Sequence, residues 1–255
     1  MIPAGRYQVG ADENHGNPRH EIELKHFWIS DAETTNEQFS RFVRQTGYKT
    51  DAERRGYGMV ALEGMLDWAW AETPGASWRW PNGKKGRSAA SMPAHPVTQI
   101  SGQDAEAYCR WVGGRLPTLD EWEVAARAGA KTRWPWGNEF LPDKANIWNG
   151  EAHRHNTRLD GWCYTSPVRS FPPNAWGLYD VIGNVFEYCS DLPANLPASE
   201  STRLIAGRGG SWWCSANTCN FYNLEDIGTM ARDGSLSNQG FRVVFDRNDI
   251  GKVEQ

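Results

Sequence analysis

The sequence predicts an α+β fold with little regular secondary structure. Three segments carry helix-capping residues, whereas segments typical of β-strands are few and short. Between residues 130 and 200 the chain is rich in Asn, Gly, Pro and Trp, a composition typical of turns. Because so long a stretch with little regular structure is usually functional or held by something other than a sheet, bound ions are a natural candidate.

Each predicted helix begins at a Ser or Thr whose side chain can cap the first turn, and each ends at a glycine. Thr35 with Gln38 forms a capping box before the first helix. Ser101 begins the second helix, and Thr118 with Glu121 begins the third. The predicted helices span 35–47, 101–114 and 118–129, and the predicted strands lie within 20–30, 203–206 and 240–246.

Composition and charge exclude several classes of protein. The 255 residues carry 27 Lys and Arg against 31 Asp and Glu, a net charge of -4 that gives no electrostatic reason to bind nucleic acid. No apolar run approaches the ~20 residues that span a bilayer, so we expect no membrane partner. Residues 1–7 show no signal-peptide pattern, which predicts a cytoplasmic protein. Residues 1–255 are predicted to form a single domain because no linker-like segment divides them.

Five cysteines are too few for a disulfide scaffold, but Cys214 and Cys219 lie five positions apart beside two tryptophans. On a regular helix or strand their thiols would point apart, so only a looped path brings both sulfurs together. Gly209 and Gly210 allow such a path. Two converging thiolates suit a soft metal such as Cu(I), and two thiols can equally close a disulfide, so the spacing leaves both open. The isolated cysteines are predicted to be small buried hydrophobes: Cys109, Cys163 and Cys189.

Two loops pair side-chain oxygens with turns whose carbonyls can point inward, which is the hard-oxygen set that Ca2+ prefers. The first loop runs from Asn146 to Trp162 and the second from Asp180 to Glu187. Neither spacing matches an EF-hand, and on pattern alone the residues favour Asx turns. Within the first loop, 153–155 (His-Arg-His) is predicted to be a solvated polar segment, although such a pair of histidines can also ligate a metal.

Several longer segments occur in a fixed order over residues 2 to 245. They are Phe39-Ser-Arg-Phe-Val43, Thr46-Gly-Tyr-Lys-Thr-Asp-Ala-Glu53, Asp104-Ala-Glu-Ala-Tyr-Cys-Arg-Trp111, Arg115-Leu-Pro-Thr-Leu-Asp-Glu-Trp-Glu123, Trp136-Gly-Asn138, Gly177-Leu-Tyr-Asp-Val-Ile-Gly-Asn184, Arg208-Gly-Gly-Ser-Trp212 and Gly240-Phe-Arg242. In this order they resemble the formylglycine-generating enzyme (sulfatase-modifying factor) family.

The resemblance implies a formylglycine-generating-enzyme fold built on a C-type-lectin-like core, with bound Ca2+. By position, the first calcium site is expected to use the side chains of Asn146 and Asp160 and the carbonyls of Ile147 and Trp162. The second is expected to use the side chains of Asp180 and Glu187 and the carbonyls of Gly183 and Val185. The resemblance therefore favours calcium over plain Asx turns. It also places Val243 where some members have a cysteine bonded to the equivalent of Cys109, so Cys109 is expected to be a free thiol.

The family's copper-binding cysteines correspond to Cys214 and Cys219, and an active-site serine corresponds to Ser211. The resemblance thus implies a copper-dependent oxidase that holds Cu(I) between two thiolates and uses O2 to oxidise a thiol-bearing peptide or small molecule. The family reaction converts a sulfatase cysteine to formylglycine. The residues expected to contact the substrate are Trp212, Trp213, Thr218, Phe221 and Asn223.

The chain departs from the family pattern after its second cysteine. Family members carry a basic-aromatic-basic run there, where this chain has Asn220-Phe-Tyr-Asn223, and Ile227 replaces a further arginine. Because the metal ligands are kept while the substrate wall is changed, we expect a less polar thiol or a differently framed peptide as substrate.

Two other functions fit the same residues. A diverged family oxidase that matures a natural product would keep the cysteine pair without acting on a sulfatase. A non-enzymatic ligand-binding protein on the same C-type-lectin fold would have no need of paired cysteines. Such binding proteins often vary the segment before the Gly-Phe-Arg motif and fill it with asparagines, which recur in residues 217–238 here.

Overall fold

The computed structural model describes residues 1–12, 14–67 and 69–246, while the predicted domain extends beyond them to residue 255. Within these ranges the α-helices are α1 (Asn36–Thr46), α2 (Asp51–Arg55), α3 (Gly102–Trp111) and α4 (Leu119–Arg127). The strands are β1 (Gly5–Val9), β2 (His20–Leu24), β3 (Trp28–Ile29), β4 (Tyr57–Val60), β5 (Ala71–Pro74), β6 (Phe186–Cys189), β7 (Leu204–Arg208), β8 (Gly228–Ala231), β9 (Gln239–Gly240) and β10 (Val244–Phe245). None of the described helices is long and apolar enough to cross a membrane.

The three helices predicted from their caps are confirmed as α1, α3 and α4. Thr35, Ser101 and Thr118 each accept a hydrogen bond from the backbone N–H three residues further on, and the side chain there accepts one from the cap residue. One helix end differs from the prediction, because Ala128 takes the left-handed position at the end of α4 before Gly129 does. Helix α2 was not predicted, since its five residues are too few to show an apolar period.

The main sheet has four strands in the order β8-β7-β6-β9. β6 is antiparallel to β7 and parallel to β9, so that Glu187 lies opposite Arg208 on one side and Gly240 on the other. Three two-stranded pairs complete the described sheet structure: β1 with β2, β3 with β10, and β4 with β5. β6 lies inside the stretch 130–200 that was predicted to consist of turns. All four of its residues are buried, so it lacks the alternation that identifies a half-exposed strand.

Apolar side chains form three clusters. The first core lies between α4, β1 and the main sheet, and it includes Trp122, Ile182, Cys214 and Cys219. The second core joins α1, α3 and β6 through residues such as Phe39, Tyr108 and Tyr188. The third core is small and consists of Ala61, Trp148, Trp212 and Trp213. The segment 211–219 therefore lies between the first and third cores.

Two arginines with fully buried side chains fix the strands of the main sheet to their surroundings. Arg208 at the end of β7 pairs with Glu123 of α4, whose other carboxylate oxygen accepts a 2.7 Å hydrogen bond from Arg127. Arg242 binds both carboxylate oxygens of Glu187 on β6. Because a buried charge is costly unless it is paired, these two pairs determine where β6 and β7 lie relative to the loops that follow them.

We expect Glu123→Gln to lower the free energy of unfolding by about 3 kcal/mol or more, because the substitution removes the charge that neutralises Arg208 and leaves the guanidinium buried. Denaturant unfolding followed by circular dichroism measures the change. The exposed pair Glu37–Arg41 on α1 is the matched control, and Glu37→Gln should cost less than about 0.5 kcal/mol.

Acid should remove the same stabilisation from the unmodified protein. Burial raises the pKa of Glu123, but Arg208 and Arg127 outweigh burial, so the pKa lies below its ordinary value. A carboxyl group of this kind stabilises the fold fully above its unfolded pKa and loses that contribution as pH falls through its folded pKa. The difference in unfolding free energy between the unmodified protein and Glu123→Gln should therefore shrink below roughly pH 4. A difference that does not depend on pH would contradict this explanation.

Candidate active site

The chain leaves β7 through two consecutive glycines and enters a buried loop, residues 211–219, called here the cysteine loop. Gly209 and Gly210 both adopt left-handed conformations, with φ of 83° and 73°. A Cβ at Gly209 would lie 2.6 Å from the carbonyl oxygen of Val181, and one at Gly210 would lie 2.7 Å from Cα of Tyr222. Only glycine tolerates both the conformation and the contact. The looped path that the glycines were predicted to allow is confirmed.

The cysteine loop folds back on itself and joins Cys214 to Cys219 in a disulfide. The backbone N–H of Cys219 donates to the Ser215 carbonyl at 3.3 Å, and the N–H of Ser215 donates to the Cys219 carbonyl at 3.1 Å. The Cα atoms of the two cysteines are consequently 4.5 Å apart. Cys214 is fully buried and Cys219 is 4% exposed, whereas Ala216 and Asn217 form an exposed tip. The two sulfurs converge as predicted, and of the two alternatives left open by the spacing the structure contains the disulfide.

Ser211 lies beside this disulfide. Its Oγ is 3.9 Å from Sγ of Cys214, and it accepts hydrogen bonds from Nδ2 of Asn238 at 2.8 Å and from the backbone N–H of Trp213 at 3.3 Å. Because both acceptor positions of the hydroxyl are occupied, its own proton can be donated towards Cys214 or a bound molecule. Asn238 was not identified as a site residue from the sequence, although it directly precedes the segment that contains the Gly-Phe-Arg motif.

Trp212 and Trp213 pack on the interior side of the cysteine loop. Nε1 of Trp212 donates to the Ser237 carbonyl at 3.1 Å, and the ring of Tyr164 meets the same indole edge-on at 5.1 Å. Trp213 packs against Trp148 with ring centroids 5.2 Å apart. Both indoles are almost completely buried. Both tryptophans belong to the third core, and their predicted contact with substrate remains a prediction.

Asn223 holds a turn through its side chain, and its predicted contact with substrate remains a prediction. Its Nδ2 donates to the Asn220 carbonyl at 2.8 Å and to the Asp226 carboxylate at 2.7 Å. Its Oδ1 accepts from the backbone N–H groups of Glu225 and Asp226. All of its hydrogen-bonding groups are therefore engaged in holding a buried turn.

Thr218 and Phe221 are half-buried at the edge of the cysteine loop, and their contact with substrate remains a prediction. The Thr218 hydroxyl bonds to Ser215 Oγ at 2.9 Å. Phe221 packs against the first core, as does Ile227. Phe221 and Ile227 therefore belong to a different apolar cluster from Trp212.

Three of the four residues predicted for the first calcium site are linked through a single carboxylate. Oδ2 of Asp160 accepts from the backbone N–H of Ile147 at 3.0 Å and from Asn149 Nδ2 at 3.0 Å, and Oδ1 accepts from the N–H of Trp162 at 2.9 Å. Asn146, the fourth, is buried directly beside Ile147. Burial raises the pKa of Asp160 to about 6 despite these hydrogen bonds, and a nearby cation would favour the ionised form.

At the second predicted site, two buried carboxylate oxygens lack a partner. Oδ2 of Asp180 accepts from the backbone N–H of Arg169 at 2.5 Å, while Oδ1 accepts no hydrogen bond. Glu33, which the sequence did not identify, accepts from Asn184 at 3.0 Å through Oε1 and leaves Oε2 unpaired. Burial, followed by repulsion from Asp180, raises the pKa of Glu33 well above its ordinary value, and burial raises the pKa of Asp180 to about 6. Unpaired oxygens in such a place suit a hard cation.

The other predicted ligands of the second site are less available. Both oxygens of Glu187 are bound by Arg242, and one also accepts from Trp122 Nε1 at 2.7 Å. Gly183 and Val185 lie in the buried turn between Asp180 and β6. In residues 1–12, 14–67 and 69–246 no set of three or more His, Cys, Asp or Glu side chains is placed to hold one metal ion. A calcium site here therefore needs backbone carbonyls or amide oxygens among its ligands, as the predicted sets have.

Comparison with known proteins decides the family. A family model described as a sulfatase-modifying factor enzyme 1-like domain matches residues 1–247. The chain belongs to the sulfatase-modifying factor family.

Similar members of the family include active and inactive proteins. The formylglycine-generating enzyme of Thermomonospora curvata is 38% identical over 281 aligned positions, which cover 96% of this chain and 92% of the relative. A mouse protein named inactive C-alpha-formylglycine-generating enzyme 2 is 36% identical, over 94% of this chain and 83% of its own length. Membership of the sulfatase-modifying factor family therefore does not by itself decide whether a chain is catalytic.

A solved structure confirms the predicted fold class. PvdO from Pseudomonas aeruginosa superposes with a TM-score of 0.70 and 26% identity, and the match covers 96% of this chain and 92% of PvdO. The shared architecture is the formylglycine-generating-enzyme fold, with mixed α and β content and few helices, on a C-type-lectin-like core.

His153 differs from its predicted environment. Its side chain is 1% exposed and contacts Asp67 and Trp213, so it is not part of a solvated polar segment. The side chain of His155, two residues further on, is 78% exposed as predicted. Burial of one histidine and exposure of the other could not be distinguished from the sequence, because both stand in the same short polar run.

The isolated cysteines are free thiols. Cys109 and Cys189 are buried as predicted, and Val243 lies in the same core as Cys109. Cys163 differs from the prediction because it is only half-buried, with its Sγ 3.8 Å from Glu63.

Proposed function

We propose that this protein is an O2-using oxidase of a thiol-bearing substrate, in which the reduced side chains of Cys214 and Cys219 hold Cu(I). The observation that carries the proposal is the meeting of two cysteine sulfurs in a buried loop, with the hydroxyl of Ser211 3.9 Å from one of them. Among the described residues the pair belongs to no larger cluster of His, Cys, Asp or Glu side chains that could hold a metal, and two soft, convergent ligands favour monovalent copper over harder ions. The named activity of relatives such as the Thermomonospora curvata enzyme supports the same reaction class.

The disulfide defines the first chemical requirement. Two thiolates become available only after a reductant delivers two electrons to the bond between Cys214 and Cys219. When bound, Cu(I) would supply the reaction with O2 that oxidises the carbon next to the substrate sulfur. The buried position of both cysteines would keep water away from that reaction.

Ser211 is suited to donate a proton in this site. Asn238 and the backbone of Trp213 fill the acceptor positions of its hydroxyl, which directs the remaining O–H towards the sulfur of Cys214 and any molecule bound there. A donor held in this way can stabilise negative charge that develops on oxygen or sulfur. Asn238 would act through Ser211 as a positioning residue.

A non-enzymatic role is the second candidate. It is favoured by one pair of observations: the two cysteines are closed in a disulfide, and a relative of 36% identity is named inactive. In that case the disulfide would hold the cysteine loop together and bind no metal.

Copper binding separates the two candidates. We expect the reduced protein to bind one Cu(I) tightly, and Cys214→Ser or Cys219→Ser to abolish stoichiometric binding, because one thiolate alone does not form the site. Anaerobic titration against a Cu(I) chelator measures this affinity. Cys163→Ser is the matched control, since that thiol is accessible but lies outside the pair. Unchanged affinity in both pair mutants would leave the non-enzymatic role.

The neutral segment after Cys219 should make a sulfatase peptide a poor substrate. A charge-assisted hydrogen bond contributes about 1.5–3 kcal/mol, so each missing cation should slow a Cys-x-Pro-x-Arg peptide roughly tenfold or more. The exposed position Asn220 allows a direct test, because Asn220→Arg adds a cation without disturbing the core. Mass spectrometry of the aldehyde product should show faster turnover by this variant. Family-like rates in the unmodified protein would instead mean that the replacements do not alter specificity.

We also propose that Ca2+ binds in the two oxygen-rich loops. In the first loop the support is the link from Asp160 to Ile147 and Trp162. At the second site it is the pair of unpaired carboxylate oxygens on Glu33 and Asp180. Both sites would use the cation to hold turns that contain few sheet hydrogen bonds.

Chelation of calcium should lower the melting temperature. Saturating Ca2+ at about one hundred times the dissociation constant adds roughly 2.7 kcal/mol per site, which corresponds to roughly 5–10 °C in a chain of this size. Differential scanning fluorimetry with EDTA and with added Ca2+ measures the shift. Asp160→Asn should reduce the calcium-dependent part, whereas Asp143→Asn, at an exposed carboxylate, should not. A melting temperature that EDTA does not change would mean that both loops are Asx turns without bound Ca2+.

A further inference from the structure

A buried chain of hydrogen bonds ends on the backbone next to Cys214. Nδ1 of His153 lies 2.5 Å from Oδ1 of Asp67, and Nε2 lies 2.6 Å from the carbonyl oxygen of Trp213. The backbone N–H of His153 also donates to Asp67 Oδ1, at 3.1 Å. The histidine side chain is 1% exposed, so its bond to the Trp213 carbonyl is buried, whereas the Asp67 side chain is 33% exposed.

The direction of these hydrogen bonds follows from their partners. A backbone carbonyl only accepts, so Nε2 of His153 must carry the proton that it shares with Trp213. The other ring nitrogen, Nδ1, faces the carboxylate of Asp67 at 2.5 Å. An acidic partner of this kind fixes the tautomer and the orientation of a histidine ring.

Stacking adds a second constraint on the same residue. The ring of His153 lies flat against the indole of Trp213, with centroids 3.6 Å apart and planes inclined by only 9°. Trp148 packs edge-on against both rings. The carbonyl and the side chain of Trp213 are therefore held by one histidine.

Cys214 is consequently clamped on both sides by the loop 148–153. The carbonyl of Trp213, the preceding residue, accepts from His153. The carbonyl of Cys214 itself accepts from the backbone N–H of Trp148 at 2.9 Å, and the N–H of Cys214 donates to the Ser211 carbonyl at 2.9 Å. Cys219, in contrast, is held by backbone bonds to Ser215, next to the exposed tip of the cysteine loop. Both cysteines are buried, but Cys214 is bonded to residues 148–153 outside the cysteine loop, whereas the backbone bonds of Cys219 to Ser215 stay within that loop.

We propose that His153, oriented by Asp67, is a positioning residue that fixes Cys214 as the immobile member of the cysteine pair. The expected effect of His153 on Cu(I) affinity rests on the proposed function. The expected effect of His153 on the equilibrium between thiols and disulfide does not depend on copper. A clamped Cys214 keeps the two sulfurs close, which favours both closure of the disulfide and capture of one metal ion.

The test replaces His153 by phenylalanine, which preserves an aromatic ring against Trp213 and removes both ring nitrogens. Substitutions that release the orientation of a metal ligand usually cost 10–100-fold in affinity, and we expect a loss of that size in Cu(I) affinity of the reduced protein. His153→Gln restores an N–H donor towards the Trp213 carbonyl and should recover part of the loss. His155→Phe is the control on the same loop, because that side chain is exposed and should leave affinity unchanged.

The equilibrium with a dithiothreitol redox buffer provides the copper-independent readout. Loss of the clamp lowers the effective concentration of one thiol at the other, so the disulfide of His153→Phe should be reduced at a roughly tenfold lower ratio of reduced to oxidised dithiothreitol. If the unmodified protein fails to bind Cu(I), the proposed function fails while this measurement still tests the clamp.

A variant that is partly unfolded would also lose Cu(I) affinity, so the effect of unfolding has to be separated from the effect of positioning. Both measurements are therefore made well below the melting temperature of each variant, with folding verified by near-UV circular dichroism. Should His153→Phe not fold, Asp67→Asn and Asp67→Ala replace it, since the amide retains an acceptor for Nδ1 and alanine does not. A folded variant that lacks the Nε2 donor, or the Asp67 acceptor, and still shows both wild-type copper affinity and a wild-type reduction equilibrium would overturn the proposal.

Discussion

Burial of Arg208 is the constraint on which the rest of the site depends. A guanidinium group can lie in the interior only where a carboxylate and carbonyls neutralise and bind it, and Glu123 of α4 with the Leu224 carbonyl meets that need. The end of β7 is thereby anchored against α4. Gly209 and Gly210 follow at once and turn the chain inward, so the cysteine loop enters the protein at a fixed point. The position of the cysteine pair follows from a charge that must be paired and from two residues that lack a Cβ.

The long stretch without regular structure is held by side chains that bond to backbone. Trp148 binds the carbonyl of Cys214, and His153 binds the carbonyl of Trp213. Asp160 accepts from N–H groups of its own loop. The oxygen-rich first loop and the cysteine loop therefore form one connected unit. In such a unit a cation bound in one loop can stabilise the geometry of the other, because they share the segment that begins at Asn146. This arrangement explains how a region with few sheet hydrogen bonds can support precise placement of two sulfurs.

The family contains proteins named as active and as inactive enzymes, so the fold alone does not determine activity. The two cysteines of this chain are not equivalent. Cys214 makes two backbone hydrogen bonds, with Trp148 and Ser211, and His153 binds the carbonyl of the preceding residue, whereas Cys219 lies close to an exposed tip. Thr218 and Phe221 are partly exposed at the edge of the cysteine loop, whereas Trp212 and Trp213 are buried. The residues that discriminate between substrates are accordingly expected at the loop edge, and the tryptophans beneath it supply rigidity.

Features that depend on neighbouring residues could be predicted from the sequence, whereas contacts between residues far apart along the chain could not. The capping boxes of α1, α3 and α4, and the bend at Gly209, depend on residues within a few positions of one another, so their patterns suffice. The sequence did not predict β6, because burial on both faces removes the alternation of apolar and polar side chains. Glu33 and His153 acquire their roles from partners far along the chain, Asn184 and Asp67, which no spacing records. The sequence by itself indicated that two thiols can meet only in a loop and that two glycines allow such a loop. Only the tertiary structure decided which charged groups lie in the interior beside that loop, because burial is a property of the packed chain and not of any segment.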